Sequence, residues 1–302
     1  MRRLSLAVSA TAASLALAAC GSAPLVNNGG PTTAPTGPAS VDAASAALVP
    51  AAIKAKGTLV VGTDASYAPS EILAADGSTI QGFDIDLFTK VAQTLGLKVK
   101  YQNASFGTII AGVSSAKYDV GVSSFTITKT REQQVNMVSY FNAGESWAAP
   151  TGNPKKIDIN NACGLNIAVQ TGTTEADDIK ARSQACTKAG KAAIHIDSYD
   201  KQSQATAEVV AGKDDAMLAD SPVTSYAIKQ SNGKLQQIGD VYASAPYGYV
   251  IPKADTQLAQ AIASALKVLK ANGGYLSALE GWGVQAGAIS DFTVNPTDVP
   301  AS

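Results

Sequence analysis

Short apolar runs alternate along most of the chain with stretches of helical periodicity. Thr58–Gly62 is typical of a strand, and apolar residues at positions 85, 88, 92 and 95 recur on one helix face, between Asp84 as a candidate cap and Gly96 as a stop. Leu97–Tyr101 alternates as a second strand. Because strands and helices alternate, the pattern predicts α/β layers rather than a β-sandwich or a helical bundle.

The same alternation continues towards the end of the chain, in two successive series. The further predicted elements are a short helix around Ile109–Val113, strands at Asp119–Val122, Leu165–Val169, Ile194–Ile196, Ala216–Ala219 and Tyr247–Ile251, and helices over Thr174–Thr187, from Ser221 onward and over Leu258–Leu269. The first series ends and the second begins between residues 122 and 165. No short-period repeat accompanies the pattern.

The amino terminus has a different pattern. Arg2 and Arg3 precede an apolar run, Leu4–Ala19, that is too short and too rich in alanine and serine to span a bilayer, so residues 1–19 are predicted to be a signal peptide. The run ends in Leu-Ala-Ala-Cys-Gly, which resembles the bacterial lipobox, and Cys20 is therefore predicted to carry a lipid as the first mature residue. The alternative is an ordinary secretory cleavage beside a thiol.

The segment that follows is poor in charge and rich in proline and glycine. Asp42 is its only charged residue, and such a composition cannot bury a core. Residues 20–50 are therefore predicted to be a disordered linker, with an r.m.s. reach of about 30 Å. Because no second transmembrane run follows, we expect an extracytoplasmic soluble body anchored to the cell membrane through Cys20.

Composition and charge narrow the function classes. The 302 residues include 23 Lys and Arg against 24 Asp and Glu, so there is no basic field for a nucleic acid. His195 is the only histidine, which excludes a metal centre with two histidines, and three cysteines cannot build an all-cysteine zinc site. No metal, cofactor or nucleic acid is expected.

The cysteines bear on the redox state. If Cys20 carries the lipid, only Cys163 and Cys186 remain, and an exported protein reaches an oxidising space, so these two are predicted to form a disulfide. The alternative is a pair of buried free thiols.

Chemistry-bearing residues concentrate where the predicted strands end. Asp64 lies two residues beyond the first strand, and Asp220 ends a later one. Ser123, Ser124 and Thr126 follow the strand that ends at Val122, and Arg131 stands at the start of the next helix. The turn Gln170–Thr174 opens a helix whose free N–H groups favour an anion, and it lacks the phosphate-loop pattern. One arginine, two aspartates and several hydroxyls at strand ends suit a zwitterion.

Each of these residues also has a simpler interpretation. Arg131 could be a solvated helix residue or pair with a surface acid. Serine and threonine runs are more often caps and turns, and Asp220 could cap the helix that starts at Ser221. Tyr67 and Phe106 could be core aromatics.

Several sequence blocks resemble a known family over Gly57–Trp282. The chain is similar to the polar amino-acid family of bacterial family 3 solute-binding proteins, which feed ABC importers. The blocks that carry the resemblance are Gly57–Asp64 with Tyr67-Ala68-Pro69, Gly82–Leu87, Tyr118–Thr128 with Arg131, Val169–Thr174, Asp215-Ala216 with Asp220–Pro222, Pro246–Gly248 and Gly281-Trp282. Ser70 and Ile72 depart from it, since the family often has aromatic residues there.

The resemblance implies a two-lobed periplasmic-binding-protein fold, each lobe a mainly parallel sheet with flanking helices and the ligand cleft between them. Two extended crossovers near Phe141–Pro150 and Asp240–Pro246 would join residues 51–145 plus 246–302, as lobe 1, to residues 146–245, as lobe 2. Arg131 would clamp the ligand α-carboxylate with the backbone N–H groups of Thr126 and Thr174. Asp220 would take the α-ammonium with the Ser124 carbonyl and the Thr126 hydroxyl.

The implied mechanism is hinge closure around a ligand that touches both lobes. The implied ligand-binding residues are Asp64, Tyr67, Phe106, Ser123, Ser124, Thr126 and Arg131 in lobe 1, and Gln170, Thr173, Thr174 and Asp220 in lobe 2. Asp64 and Tyr67 would face the ligand side chain, Phe106 would form a flat wall, and Glu71 would lie near the mouth. A carboxylate there favours basic or amide side chains, unless Asp64 bonds its own turn instead.

The resemblance implies a non-enzymatic monomer that delivers a free amino acid to a membrane ABC permease. Two alternatives stay open. One is a sensing module that binds the same ligand and signals through a membrane partner. The other is a dehydratase on the same fold, with Glu71 or Glu145 as a general acid, although neither belongs to a recognisable catalytic cluster.

Overall fold

A computed structural model of the protein describes residues 39–302. The predicted signal peptide, the predicted lipidated Cys20 and the linker up to residue 38 lie outside the described residues. From residue 39 onward the chain is an α/β structure, which confirms the predicted fold class. Within this range, no helix combines the length and the apolar character needed to cross a membrane.

Within residues 39–302, eight strands form one large sheet and three short strands form a small one. The strands are β1 Thr58–Thr63, β2 Ser66–Tyr67, β3 Glu71–Leu73, β4 Ile80–Gln81, β5 Lys98–Asn103, β6 Val120–Thr126, β7 Val135–Pro150, β8 Asn166–Gln170, β9 His195–Tyr199, β10 Ala216–Asp220 and β11 Leu235–Pro252. The order across the large sheet is β5-β1-β6-β11-β7-β10-β8-β9, and β2, β3 and β4 form the small sheet.

Helices connect these strands and pack against the sheet. They are α1 Ala43–Ala47, α2 Ala51–Lys56, α3 Phe83–Thr94, α4 Phe106–Ser114, α5 Lys129–Gln134, α6 Thr174–Lys188, α7 Gln202–Ala211, α8 Ser221–Gln230, α9 Thr256–Ala271 and α10 Gly274–Glu280, with a 3-10 turn at Gln285–Gly287. Many of their starts follow ordinary capping chemistry, as where Thr173 accepts a hydrogen bond from Ala176 N–H at α6.

Two long antiparallel strands, β7 and β11, run through both halves of the large sheet. On one side β1 pairs in parallel with β5 and β6, and on the other β8 pairs in parallel with β9 and β10. The pairing of β7 with β11 shifts register twice between Ile238 and Ala245 and once more between Tyr247 and Gly248. This irregular stretch overlaps the predicted crossovers and leaves few ladder bonds to stiffen the connection between the halves.

Each half of the sheet has its own hydrophobic core. In the first, α3 and α9 pack Phe88, Leu87 and Ile262 against the sheet, and a second cluster surrounds Phe125. In the second, Trp147 lies at the centre of a smaller core. Each of these clusters lies within one half, and a small buried cluster of Tyr67, Ala219 and Val223 joins the two halves. We call them the first lobe and the second lobe.

The predicted disulfide is present in the second lobe. Cys163, in the loop before β8, is bonded to Cys186 near the end of α6, with their Cα atoms 5.6 Å apart. The structure therefore does not contain the alternative pair of free thiols.

The prediction of a disordered linker as far as residue 50 was wrong for its last part. The Asp42 carboxylate accepts a hydrogen bond from Ser45 N–H and starts α1, and Ser45 Oγ lies 2.8 Å from Ser264 Oγ of α9. Val49 is buried in the core of the first lobe. The segment carries small and apolar residues that fit against α9, a tertiary contact that composition does not reveal.

Two further local predictions were wrong. The strand expected to end at Val122 continues as β6 to Thr126, so the Ser123–Thr126 segment belongs to the sheet itself. Asp84 does not cap α3, because Gly82 occupies the cap position and the Asp84 side chain turns inward to Ser124 and Tyr140. The extended crossover predicted near Phe141–Pro150 is the last part of the long strand β7, which begins at Val135.

Candidate functional site

Most of the candidate residues meet in one cleft between the lobes, where their side chains bond across it. Gln170 Nε2 donates to Asp64 Oδ2 at 2.7 Å, and Tyr67 O–H donates to Asp220 Oδ2 at 2.7 Å. Further bonds between the lobes are Arg131 to the Gly172 carbonyl, Thr126 with Thr174, Ser105 to Asp200, and Gln202 N–H to Ser66. The lobes are therefore closed on each other, and the candidates from both sides share one site.

Asp64 lies just beyond β1, at the bottom of the cleft. Its Oδ2 accepts from Phe106 N–H at 3.2 Å as well as from Gln170, so its carboxylate faces the other lobe. Its own N–H donates to Ser123 Oγ. Burial raises the pKa of Asp64, and the bond from Gln170 partly opposes that rise.

Arg131 projects from α5 into the cleft. Nη1 donates to the Thr126 carbonyl at 2.7 Å and Nη2 to the Gly172 carbonyl at 3.1 Å. The guanidinium lies 5.6 Å from the ring centre of Phe106 and 5.8 Å from that of Phe125, which stack on each other. Burial lowers the pKa of Arg131, but an arginine keeps its charge in proteins, so the cleft contains a fixed cation.

The start of α6 brings the second lobe to the cleft. Thr173 caps this helix through its hydroxyl, which also donates to the Gln170 carbonyl. Thr174 Oγ1 lies 3.5 Å from Thr126 Oγ1 of the first lobe. The start of α6 lies beside Arg131, whose Nη2 donates to the Gly172 carbonyl just before the helix, and a helix start favours an anion.

Asp220 lies at the end of β10. It occupies the cap position of α8 but its side chain makes no capping bond, so the simple helix-cap interpretation does not describe its contacts. Instead it accepts from Tyr67 O–H. Burial and the nearby carboxylates Glu175 and Glu145 raise the pKa of Asp220 well above its usual range.

Ser123 and Ser124 of β6 are buried, and their side chains turn to carboxyl groups of the first lobe, whereas Thr126 of the same strand lines the cavity in the cleft. Ser123 Oγ donates to Glu71 Oε1 at 2.6 Å. Ser124 adopts a left-handed backbone conformation, with φ of 48°, and both its N–H and its hydroxyl donate to Asp84. Glu71, expected near the cleft mouth, is instead completely buried beneath these serines, because the short strand β3 turns its side chain inward.

Sequence reasoning missed other residues that line the cleft. A cavity of about 150 Å³ is lined by Thr126, Ala143, Glu145, Thr174, Asp220, Ala243, Ser244, Pro300 and Ser302. Glu175, in the first turn of α6, is 2% exposed and lies near Arg131 and Asp220. The sequence could have indicated Glu175 as a cleft residue, because it directly follows the Gln170–Thr174 turn. The chain end reaches the cleft through backbone bonds from α5 to Pro300 and Ala301, for which the sequence had no signal.

Carboxylates outnumber cations around this cavity. Glu145, Glu175 and Asp220 are buried close together, and burial raises the pKa of each. Neighbouring carboxylates raise the pKa of Glu145 and of Asp220 further, and the pKa of Glu145 reaches about 8. Arg131 is the cation that faces them. Among the residues the structure describes, no group of histidine, cysteine or carboxylate side chains is arranged to hold a metal ion. The cleft therefore contains more carboxyl groups than cations, and Arg131 is the cation that lies beside Glu175 and Asp220.

Comparisons with known proteins agree with this architecture. Residues 59–285 match the family model of bacterial extracellular solute-binding proteins, family 3. The chain therefore belongs to this family, as its sequence blocks predicted.

Individual relatives cover most of the chain. It is 34% identical over 250 residues to an arginine-binding protein of Corynebacterium glutamicum, an alignment that covers 82% of each chain. It is 26% identical over 282 residues to the ABC transporter glutamine-binding protein of Bacillus subtilis, which covers 92% of this chain and 96% of the relative. A solved ancestral arginine-binding protein bound to arginine is 32% identical, with a TM-score of 0.70 over 75% of this chain and 98% of its own.

Proposed function

We propose that this protein captures a free amino acid with a basic side chain, arginine foremost, in the cleft between its lobes. The observation that carries the proposal is the placing of Arg131 and Asp220 in one buried cleft, from opposite lobes, with Glu145 and Glu175 beside them. An α-amino acid carries one negative and one positive charge on its backbone atoms. Arg131 and Asp220 supply the complement of each.

The constant part of the ligand fits the two charged residues. The α-carboxylate would replace the Thr126 and Gly172 carbonyls as the acceptor of the Arg131 fork, next to the N–H groups at the start of α6. The α-ammonium would take the Asp220 carboxylate, with the Thr126 hydroxyl as a further acceptor. Neither charge is then left buried without a partner.

The variable part of the ligand is selected by the surplus of carboxylates. A guanidinium or ammonium side chain compensates Glu175 or Asp64 and favours the ionised form of Glu145, whereas an acidic side chain adds a further negative charge to a dry cleft. The relative from Corynebacterium glutamicum is named for arginine, which supports this choice. Glutamine, for which another relative is named, is neutral and ranks below arginine on these grounds.

Capture proceeds by hinge closure about β7 and β11. Because the ligand contacts Arg131 on the first lobe and Asp220 on the second, it binds the closed arrangement better than any open one. The irregular pairing between Ile238 and Ala245 is the segment that bends.

We further propose that the protein is a lipoprotein of the cell membrane that delivers its ligand to an ABC permease. The lipobox-like sequence ending at Cys20 supports the anchor, and the ABC transporter relative supports the permease. Expression of the full chain in a bacterium is expected to give a membrane-partitioning protein, and Cys20→Ala is expected to release it. An unmodified soluble wild-type protein contradicts the anchor.

The binding proposal is tested by calorimetry with a panel of arginine, lysine, histidine, glutamine and glutamate. Arginine is expected to bind tightest and glutamate weakest. Asp220→Asn is expected to weaken all of them, because it removes the partner of the α-ammonium that every ligand shares. Glu280→Gln, a change at an exposed residue of α10, is the control and should leave the affinities unchanged. Tightest binding of glutamate, or unchanged affinity in Asp220→Asn, contradicts the proposal.

A second candidate function rests on Glu145. Its raised pKa keeps it protonated near neutral pH beside the cavity, as a general acid of a dehydratase requires. Native mass spectrometry of the protein after long incubation with its ligand separates the two functions. Binding without catalysis, which we propose, predicts an unchanged ligand mass, and loss of water from the ligand supports the enzyme.

A further inference from the structure

Two buried carboxyl groups lie directly beneath the cleft in the first lobe. Glu71 in β3 and Asp84 in the first turn of α3 are both 0% exposed. Each uses one oxygen for strong hydrogen bonds, Glu71 Oε1 from Ser123 and Asp84 Oδ2 from Ser124 and Tyr140. Their other oxygens, Glu71 Oε2 and Asp84 Oδ1, have no hydrogen-bond donor anywhere in residues 39–302.

These two remaining oxygens belong to side chains within hydrogen-bond reach of each other. Two ionised carboxylates in contact and away from water repel strongly, so one of them must hold a proton. A single proton then gives both remaining oxygens a partner. Burial and the charge of Asp84 raise the pKa of Glu71, and burial raises the pKa of Asp84 as well, opposed by its bonds from Tyr140 and Ser124. The bonds that favour an ionised Asp84 assign the proton to Glu71.

We propose that Glu71 and Asp84 form a carboxyl pair that shares one proton, with Glu71 Oε2–H donating to Asp84 Oδ1, and that this pair positions the first-lobe wall of the amino-acid site. As far as it concerns the ligand, this inference rests on the proposed function. The pair touches no ligand atom in that scheme and acts through Ser123 and Ser124.

The positioning role follows from the residues that are hydrogen-bonded to the pair, directly or through a neighbour. Asp84 holds Ser124 by its N–H and its hydroxyl in a left-handed conformation that few residues other than glycine adopt. Glu71 accepts from Ser123 Oγ, which in turn accepts from Asp64 N–H. Three residues of the site, from β6 and from the end of β1, therefore depend on one pair of carboxyl groups.

The pair is also linked to the hinge, through Tyr140 of β7, whose hydroxyl donates to Asp84 at 2.7 Å. The titratable groups that face the pair are Tyr140 from β7, Tyr249 from β11, Tyr101 from β5 and Asp64 beyond β1. None of these four is a cation, so none can neutralise a second negative charge on the pair. Loss of the shared proton would therefore leave two adjacent buried charges.

The shared proton can be tested without any ligand. In Glu71→Gln the amide Nε2 donates to Asp84 and Oε1 accepts from Ser123, which reproduces the bonds of the protonated acid with no titratable proton. Unfolding of the wild type releases this proton, because an unfolded glutamate is ionised at neutral pH. We expect the unfolding of Glu71→Gln to release about one proton fewer near pH 7 than that of the wild type. We also expect the infrared band of one protonated carboxyl group to disappear. Glu280→Gln, at an exposed position of α10, should match the wild type in both measurements.

The positioning role is tested by arginine calorimetry at pH 7. Glu71→Gln is expected to bind within about threefold of the wild type, and Glu71→Ala at least about tenfold more weakly, since it removes the acceptor of Ser123 and leaves Asp84 Oδ1 without a donor. If Glu71→Ala does not fold, the Glu71→Gln linkage and infrared measurements decide alone. Equal proton release by the wild type and Glu71→Gln overturns the shared proton, and wild-type affinity in Glu71→Ala overturns the positioning role. A wild type that binds no amino acid, with the proton difference intact, refutes the proposed function and leaves the pair standing.

Discussion

The two walls of the cleft differ in how their polar groups are held. On the first lobe, Ser123, Ser124 and Asp64 are tied to one another and to the buried pair Glu71 and Asp84. On the side formed by the second lobe and β7, Glu175 Oε1 and Glu145 Oε2 are buried without a hydrogen-bond partner in the described part of the chain. On the first wall the two carboxyl oxygens without a donor belong to the proposed pair of Glu71 and Asp84, whereas on the other wall they belong to Glu145 and Glu175 beside Arg131 and Asp220.

This difference indicates that the two walls have different roles in ligand binding. The hydrogen bonds that tie Ser123, Ser124 and Asp64 together fix the geometry of the first wall, as the recognition of the constant part of an amino acid requires. Buried carboxylates with raised pKa gain most from a cation, so they select among side chains. The first lobe, with Arg131, therefore forms the preorganised part of the binding site, and the opposite wall selects ligands by the charge of their side chains.

Removing the positive charge of Arg131 should have the largest effect on ligand affinity. Arg131→Ala leaves the ligand α-carboxylate buried without its partner, so the affinity for arginine is expected to fall by about 2–5 kcal/mol, or from about thirtyfold to several thousandfold. Calorimetry measures the loss. Lys129→Ala, which removes an exposed cation from the same helix α5, is the control. A change of less than tenfold in Arg131→Ala would show that this arginine is structural.

The disulfide should matter for the stability of the second lobe and little for binding. Cys163 and Cys186 are 23 residues apart, and closing a loop of that size stabilises a fold by about 3 kcal/mol in the chain-entropy model. Urea unfolding of the double variant Cys163→Ser/Cys186→Ser is expected to show this loss. Arginine affinity should stay within about threefold, since the bond lies at the end of α6 remote from the cleft. Unchanged stability would contradict the expected contribution of the bond.

Glu175 tests the selective wall. Glu175→Gln removes one carboxylate and keeps the shape, so the ratio of arginine affinity to glutamine affinity is expected to fall by about tenfold. Competition calorimetry measures that ratio. Asp177→Asn removes an exposed carboxylate from the same first turn of α6 and controls for the helix dipole. An unchanged ratio would mean that Glu175 takes no part in selecting the side chain.

The smallest expected effect is a pH dependence, in which the stability of the fold decreases and the affinity for arginine increases as the pH rises. The pKa of Glu145 is raised to about 8, above its unfolded value, so its contribution to stability is complete below about pH 4.5 and is lost as the pH rises through about 8. A cationic ligand favours the ionised form, so arginine affinity should rise about threefold to tenfold from pH 7 to pH 9. Glu145→Gln should flatten this component of both profiles, and an affinity that falls with pH in the wild type but not in the variant would contradict the account.

Much of the fold and many site residues could be predicted from the sequence because their signals are local. The apolar periodicity located most strands and helices, and the motif blocks brought Arg131, Thr174 and Asp220 to one cleft. Their roles as ligand contacts remain predictions. The prediction that Asp64 lies at the site agrees with its contact to Gln170 across the cleft, although its role in specificity is not thereby decided.

The remaining features depend on contacts distant in sequence. Asp84 looked like a helix cap because its neighbours fit that role, and only its contacts with Ser124 and Tyr140 reveal the inward turn. Glu71 lies in a three-residue strand that carries too little periodicity to show which face is buried. The packing of Ala43–Ala47 on α9 and the approach of Pro300 to the cleft join opposite ends of the chain, which no local pattern encodes.

Arginine and citrulline provide the most direct test of the claim that the cleft selects by charge. Citrulline has nearly the shape of arginine, but its neutral ureido group replaces the guanidinium. If the carboxylates opposite Arg131 select the side chain, calorimetry at pH 7 and moderate salt should show arginine binding at least about a hundredfold more tightly, a difference of about 2.7 kcal/mol. Equal affinities for the two ligands would contradict the account, since shape alone would then explain the binding.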